Sequence, residues 1–181
     1  MKEITQKVQI MFAELGNSQY GGESVSQLEH ALQCAQLAKD HGASSALIIA
    51  CLLHDVGHIL HALPDDAPDM GIDDQHENLA HDFLTTYFHE NVTEPIRLHV
   101  DAKRYLCTRE TGYQDLLSEP SLISLQLQGG AMKEEECQAF EQNPYFQSAI
   151  ELRKYDDTAK IPGLQVLPLA YYLDILEEVS L

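Results

Sequence analysis

Tryptophan is absent from this sequence, and lysine and arginine together number only 11 against 29 aspartates and glutamates. The resulting formal charge of -18 repels duplex nucleic acid and anionic membranes at long range, so neither is an expected partner. No apolar run approaches the roughly 20 residues needed to cross a bilayer, and the opening MKEITQKVQIMFAEL reads as an amphipathic helix rather than a signal peptide. The four cysteines, Cys34, Cys51, Cys107 and Cys137, include no CxxC pair. That spacing fits reduced thiols rather than a zinc-cysteine site. These features lead us to expect a soluble, cytoplasmic protein. The charge does not decide its oligomeric state.

The 181 residues are 44% hydrophobic, enough for one well-buried core and too few for two comfortable domains, so 1–181 is expected to be a single domain. Apolar residues recur at spacings of three and four, and no alternating run supports a strand, which predicts an all-α fold. A first helix should end near Gly16. A second should open on a capping box of Ser24 and Gln27 and stop near Gly42. SSALIIACLLHDVGHIL, apolar nearly all round, predicts one continuous central helix. HALPDDAPDMGIDD reads as a surface loop that covers or frames a site. Asp74 and Glu77 suit a capping box for the next helix, and further helices are expected around EPIRLHVDAKRYL, SEPSLISLQLQ, KEEECQAFEQ, PYFQSAIELRKYDDTAK and LPLAYYLDILEEV.

The greasy stretch CLLHDVGHIL poses a chemical question, because His54, Asp55 and His58 cost several kcal/mol each to bury unless paired or coordinated. Neighbours on a helix point about 100° apart, so His54 and Asp55 reach one metal only if the helix end faces it. An HD dipeptide alone is equally a histidine hydrogen-bonded to its neighbouring carboxylate. Four other helical segments change the balance: QLEHALQC with His30, DDQHENLA with His76, RLHVDAK with His99 and KYDDTAK with Asp156. Together these supply four histidines and two aspartates, ligands natural to iron, manganese or zinc. Such a set could hold two metals, with Asp55 as the bridge, since a carboxylate has two oxygens to offer. The scarce cations also cluster, with Lys103, Arg104, Arg153, Lys154 and Lys160 falling in RLHVDAKRYL and ELRKYDDTAK. They make either a local anion site or ordinary helix-end charge.

The pattern of His30, His54-Asp55 and Asp156 resembles the HD-domain superfamily of helical metalloproteins, and the added His76 and His99 resemble its two-metal branch. YGGESVSQLEHALQCAQLA, LLHDVGH, HVDAKRYL, LQGG and LRKYDDTAK, in order from about Tyr20 to Lys160, are similar to the PhnZ-like mixed-valence di-iron oxygenases, relatives of inositol oxygenase. The resemblance implies cleavage of the carbon–phosphorus bond of a 2-amino-1-hydroxyethylphosphonate-type substrate to glycine and phosphate, with an Fe(II)/Fe(III) pair as cofactor and dioxygen as co-substrate. It further implies that His30, His54, Asp55 and Asp156 hold one iron, and Asp55, His76 and His99 the other. His58, Lys103, Arg153 and Ser121 would surround the phosphonate, with Tyr20 and Glu23 at the substrate amine or a vacant metal position. Catalytic roles fall on His58, Lys103, Glu23 and Tyr20.

Alternatives stay open for several residues. Asp157 competes with Asp156, which is preferred because the resemblance to inositol oxygenases implies a ligand directly after an aromatic residue, here Tyr155; His81 competes with His76, and Ser124 with Ser121. His41, His61 and His89 are expected to be solvated. The same ligands also suit an HD-type phosphohydrolase acting on a nucleotide or other phosphate ester, or a non-catalytic module that binds a phosphorylated signal.

Overall fold

The computed structural model describes residues 1–60 and 71–181. Among these the chain is all-α, with helices α1 (Glu3–Leu15), α2 (Gln27–Asp40), α3 (Ser45–Leu53), α4 (Val56–Leu60), α5 (His76–Leu84), α6 (Glu90–Arg109), α7 (Glu119–Leu127), α8 (Glu134–Glu141), α9 (Phe146–Thr158) and α10 (Leu169–Val179). The only β-type pairings among them are two isolated bridges, Gln19 with Ser26 and Phe88 with Ser180. No helix among the described residues is long and apolar enough to cross a membrane. Most of the segment expected to frame a site, together with His61, lies outside the described residues.

Helix α3 is buried from Ala46 to Leu53 and packs against α2, α6, α9 and α10, which is why its whole circumference is apolar. The main core gathers around it and includes Ile4, Val8 and Phe12 of α1 and Tyr172 and Leu176 of α10. The continuous helix expected through HDVGHIL breaks instead. α3 ends at Leu53, His54 and Asp55 form a turn, and α4 starts at Val56. The break suits the site, because both side chains leave from a helix end and can face one point. Gly57 is required just after it. A Cβ there would lie 1.9 Å from the His76 carbonyl oxygen, so only a glycine lets α4 touch the backbone where α5 begins.

Two caps differ from expectation. Helix α2 opens on Ser26, whose hydroxyl accepts from the Glu29 N–H while the Glu29 carboxylate accepts from the Ser26 N–H. Ser24 is consumed upstream in a tight loop. There Tyr20 N–H donates to the Val25 carbonyl and Glu23 N–H to the Tyr20 carbonyl, across the positive-φ pair Gly21-Gly22. At α5 the N-cap is Gln75, in the left-handed region at φ 49°, and Asp74 turns toward the His76 ring rather than forming a box with Glu77. The first helix ends at Gly16 and the second at His41-Gly42, as the pattern predicts.

Candidate functional site

Six acid and imidazole side chains from five segments of the chain meet below the α3–α4 turn. His30 comes from α2, His54 and Asp55 from the turn, His76 from the first position of α5, His99 from α6 and Asp156 from α9, all of them buried. Their donor atoms form two sets, His30, His54, Asp55 and Asp156 in one and Asp55, His76 and His99 in the other, with the atoms of each set within 4.8 Å of one another. Asp55 divides its oxygens between them. Oδ2 lies 3.1 Å from His54 Nε2 and 3.5 Å from His30 Nε2, whereas Oδ1 lies 3.4 Å from His76 Nε2 and 3.5 Å from His99 Nε2. Asp156 Oδ1 completes the first set, 3.4 Å from His30 Nε2.

The hydrogen bonds fix which nitrogen of each ring faces inward. Nδ1 of His30, His54 and His99 lies 2.9, 2.9 and 2.7 Å from the carbonyls of Ala159, Cys51 and Ile96. A carbonyl can only accept, so each Nδ1 carries a proton and Nε2 is the nitrogen turned to the centre, where it offers a lone pair whenever the ring is neutral. His76 is aimed by a carboxylate instead, with Nδ1 2.8 Å from Asp74 Oδ1. Nε2 atoms therefore face each other at 3.2 Å between His30 and His54 and at 3.1 Å between His76 and His99. Close as the rings are, both oxygens of Asp55 and Oδ1 of Asp156 are buried without a hydrogen-bond partner. Burial alone would raise the carboxyls; His54 beside Asp55 and Arg153 beside Asp156 hold both well below the usual range, hence ionised. Buried anions, orphaned oxygens and inward-facing imidazole nitrogens make two donor sets that could each hold a metal ion, with Asp55 common to both.

Above this cluster opens a cavity of about 350 Å3 whose walls include Tyr20, Glu23, His58, Lys103, Ser121, Ser124, Arg153 and Lys160. Lys103 stands one helical turn beyond His99 on α6, and Arg153 stands three residues before Asp156 on α9, so each helix supplies a ligand-type residue and a cation on one face. Lys103 Nζ donates to Ser124 Oγ at 2.8 Å; burial and the nearby Arg153 guanidinium push its pKa down to about 7. Arg153 is braced by Asp156 at 2.8 Å, by Asp157 and by the Tyr113 hydroxyl at 3.3 Å. His58 stacks on His76 with centroids 3.9 Å apart and places Nδ1 2.6 Å from Asp74 Oδ2. Tyr20 stacks on His30 at the same centroid distance, 3.9 Å, and meets His58 edge-on.

The open alternatives now have positions. Asp156 enters the cluster while Asp157 turns to Arg153 and Tyr113. His81 stands apart, 3.3 Å from Glu94 and 3.2 Å from Asp82. His41 and His89 are exposed at helix ends. Ser121 and Ser124 both line the cavity. Of the clustered cations, Lys103, Arg153 and Lys160 reach it, whereas Arg104 pairs with Glu136 and Asp101 and Lys154 with Glu110. Glu23 meets Lys160 at 2.9 Å and the Ser118 hydroxyl. Sequence reasoning passed over Asp74, Tyr113 and Ser118. For Asp74 a signal existed, an acid two residues before a candidate ligand, but a cap is the commoner use of that spacing.

A family model described as HD domain matches residues 28–138, a span that contains five of the six converging side chains. The chain is 48% identical over 151 residues to the hydroxymethylphosphonate dioxygenase of Gimesia maris, covering 83% of this chain and 75% of that one. It is 39% identical over 150 residues to the [1-hydroxy-2-(trimethylamino)ethyl]phosphonate dioxygenase (glycine-betaine-forming) of Leisingera caerulea, covering 83% of this chain and 76% of that one.

Proposed function

This chain belongs to the HD domain family, and on that footing we propose that it is a di-iron dioxygenase that cleaves the carbon–phosphorus bond of a short 1-hydroxyalkylphosphonate. The observation that carries the reading is the Asp55 carboxylate, split between two imidazole sets directly beneath a cavity walled by Lys103 and Arg153. The substrate implied by the sequence resemblance, 2-amino-1-hydroxyethylphosphonate, would yield glycine and inorganic phosphate; hydroxymethylphosphonate would yield formate and phosphate. In either case one dioxygen balances the reaction.

Two irons held by His30, His54, Asp55 and Asp156 and by Asp55, His76 and His99, as Fe(III) and Fe(II), would supply with dioxygen the oxidation of the hydroxyl-bearing carbon. The rest of the work belongs to the chain. Arg153, kept charged and rigid by Asp156 and Asp157, and Lys103 donate charge-assisted hydrogen bonds to the phosphonate oxygens, and the Ser121 and Ser124 hydroxyls add neutral ones. Their fixed positions orient the carbon–phosphorus bond over Asp55. Asp74 accepts at Nδ1 of His58 and so orients the ring, whose Nε2, 3.9 Å from Asp55 Oδ1 on the cavity wall, would exchange a proton with the substrate. Tyr20 lies over His30 and shields that side of the cavity from water. Its phenol stays protonated, because burial and the charges of Asp156 and Asp55 hold its pKa well above the ordinary value.

We take residues 1–181 as one catalytic unit, since α1 and α10 pack into the core that supports the site. Free thiols at Cys34, Cys51, Cys107 and Cys137 suit a reducing, cytoplasmic setting. The test is phosphate release from (R)-1-hydroxyalkylphosphonates by iron-quantified protein, in air and under anaerobic conditions. Release should require dioxygen. Equal anaerobic release would overturn the proposal and favour the phosphohydrolase chemistry that the same ligands permit; no release at all, with tight phosphate binding, would favour a binding module.

A further inference from the structure

Glu23 is the carboxylate that the sequence offers to a substrate ammonium, yet an ammonium from the chain already holds it. Lys160 Nζ lies 2.9 Å from Glu23 Oε1, 3.2 Å from Ser118 Oγ and 3.1 Å from Ser121 Oγ, and 5.8 Å from the centre of the Tyr20 ring. A primary ammonium has three N–H donors, and here they meet three oxygens with an aromatic face alongside. A better-furnished amine subsite is hard to draw, and it is filled.

The backbone around Lys160 keeps it there. The Ala159 carbonyl accepts from His30 Nδ1, while Ile161 is clamped on both sides by the Gln33 amide, its N–H donating at 3.0 Å and its carbonyl accepting at 2.7 Å. Lys160 therefore stands between two anchored residues, one of them tied to a candidate metal ligand. Its side chain is mostly buried, 13% exposed, so the pair is screened less than a surface ion pair.

We propose that Lys160 is a specificity-determining residue that fills the Glu23–Ser118–Ser121 subsite with its own ammonium, so that the chain selects a 1-hydroxyalkylphosphonate whose remaining substituent is small and uncharged. The assignment rests on the phosphonate reading above. A substrate carrying its own ammonium must displace Lys160 from Glu23 and bring a second cation beside Lys103 and Arg153. A trimethylammonium group fares worse, for it has no N–H to donate and, among the described cavity residues, Tyr20 is the sole tyrosine, phenylalanine or tryptophan with which to build a cage. Hydroxymethylphosphonate needs none of these contacts.

The experiment compares hydroxymethylphosphonate, (R)-1-hydroxyethylphosphonate and (R)-2-amino-1-hydroxyethylphosphonate. For each, Kd is measured by anaerobic calorimetry on the iron-loaded protein and kcat/KM in air, for the native chain, K160Q and the double variant K160Q/E23Q. The native chain should favour the two compounds that lack an ammonium group by about tenfold or more, the weight of one charge-assisted contact. K160Q, which leaves Glu23 uncompensated, should move the ratio toward the amino compound by about tenfold, mainly through Kd, and E23Q should abolish that gain. Preference of the native chain for the amino compound, or a ratio unmoved by K160Q, would overturn the role of Lys160 while leaving the phosphonate reading intact. If none of the three binds or turns over, the phosphonate reading itself falls, and this assignment with it.

Discussion

Lys103 carries its charge where a charge is expensive. Only 2% exposed and close to Arg153, it loses its proton at about pH 7 in the free protein, although a free lysine would hold one to roughly 10.4. On the proposed phosphonate reading, binding uses the charged form, so the contribution of Lys103 to kcat/KM should fall as pH rises through about 7. Arginine keeps its charge throughout, so K103R should hold more of its own neutral-pH kcat/KM at pH 9 than the native enzyme does. Stability runs the other way. Between the folded and unfolded pKa values the unfolded chain binds the extra proton, so the stability attributable to this residue rises with pH across that window. K103M should therefore melt higher than the native protein at pH 6, with the difference shrinking toward pH 10; an equal difference at both pH values would show that packing, not charge, is responsible.

At the scale of elements, the contact between α4 and α5 is the one most sensitive to a single atom. The group that a Cβ at Gly57 would strike is the His76 backbone, which no rotamer change can move aside. G57A should cost about 2–3 kcal/mol and lower the thermal midpoint by several degrees. If the two donor sets hold metal as proposed, it should also shift His76 and so lower the metal bound per chain, read by metal analysis alongside the melt. Much of this helical framework was legible beforehand: the 3.6-residue period marked out the helices, and polar groups on the greasy α3–α4 stretch exposed the HD pair. The break between α3 and α4 was not, because His54 and Asp55 both tolerate helical backbone and only the finished site calls for a turn. Asp74 was hidden for a related reason, since a carboxylate just before a helix reads as a cap until the ring it aims is seen. The partnership of Glu23 with Lys160 spans 137 positions of sequence, and no local pattern announces it.

For the molecule as a whole, the charge of -18 surrounds a pocket that collects three cations. A dianionic phosphonate is repelled until it comes near the cavity mouth, and salt weakens the distant field more than the close contacts. Raising ionic strength from about 10 to about 150 mM, over which the Debye length shrinks from about 30 to 8 Å, should therefore increase kcat/KM. A steady decrease would mean that the pocket cations dominate even at a distance.

Three of the four inward-facing imidazoles are steered by main-chain carbonyls, those of Cys51, Ile96 and Ala159, a group that every amino acid brings to its position. His76 alone is steered by a side chain, Asp74. Mutational drift that spares the six donors themselves thus has little purchase on the half of the cage containing His30 and His54, but can slacken the other half with one nucleotide change in the Asp74 codon. A lineage losing this cluster would have its easiest exit there, and the first casualty would be the aim of His76 rather than the fold.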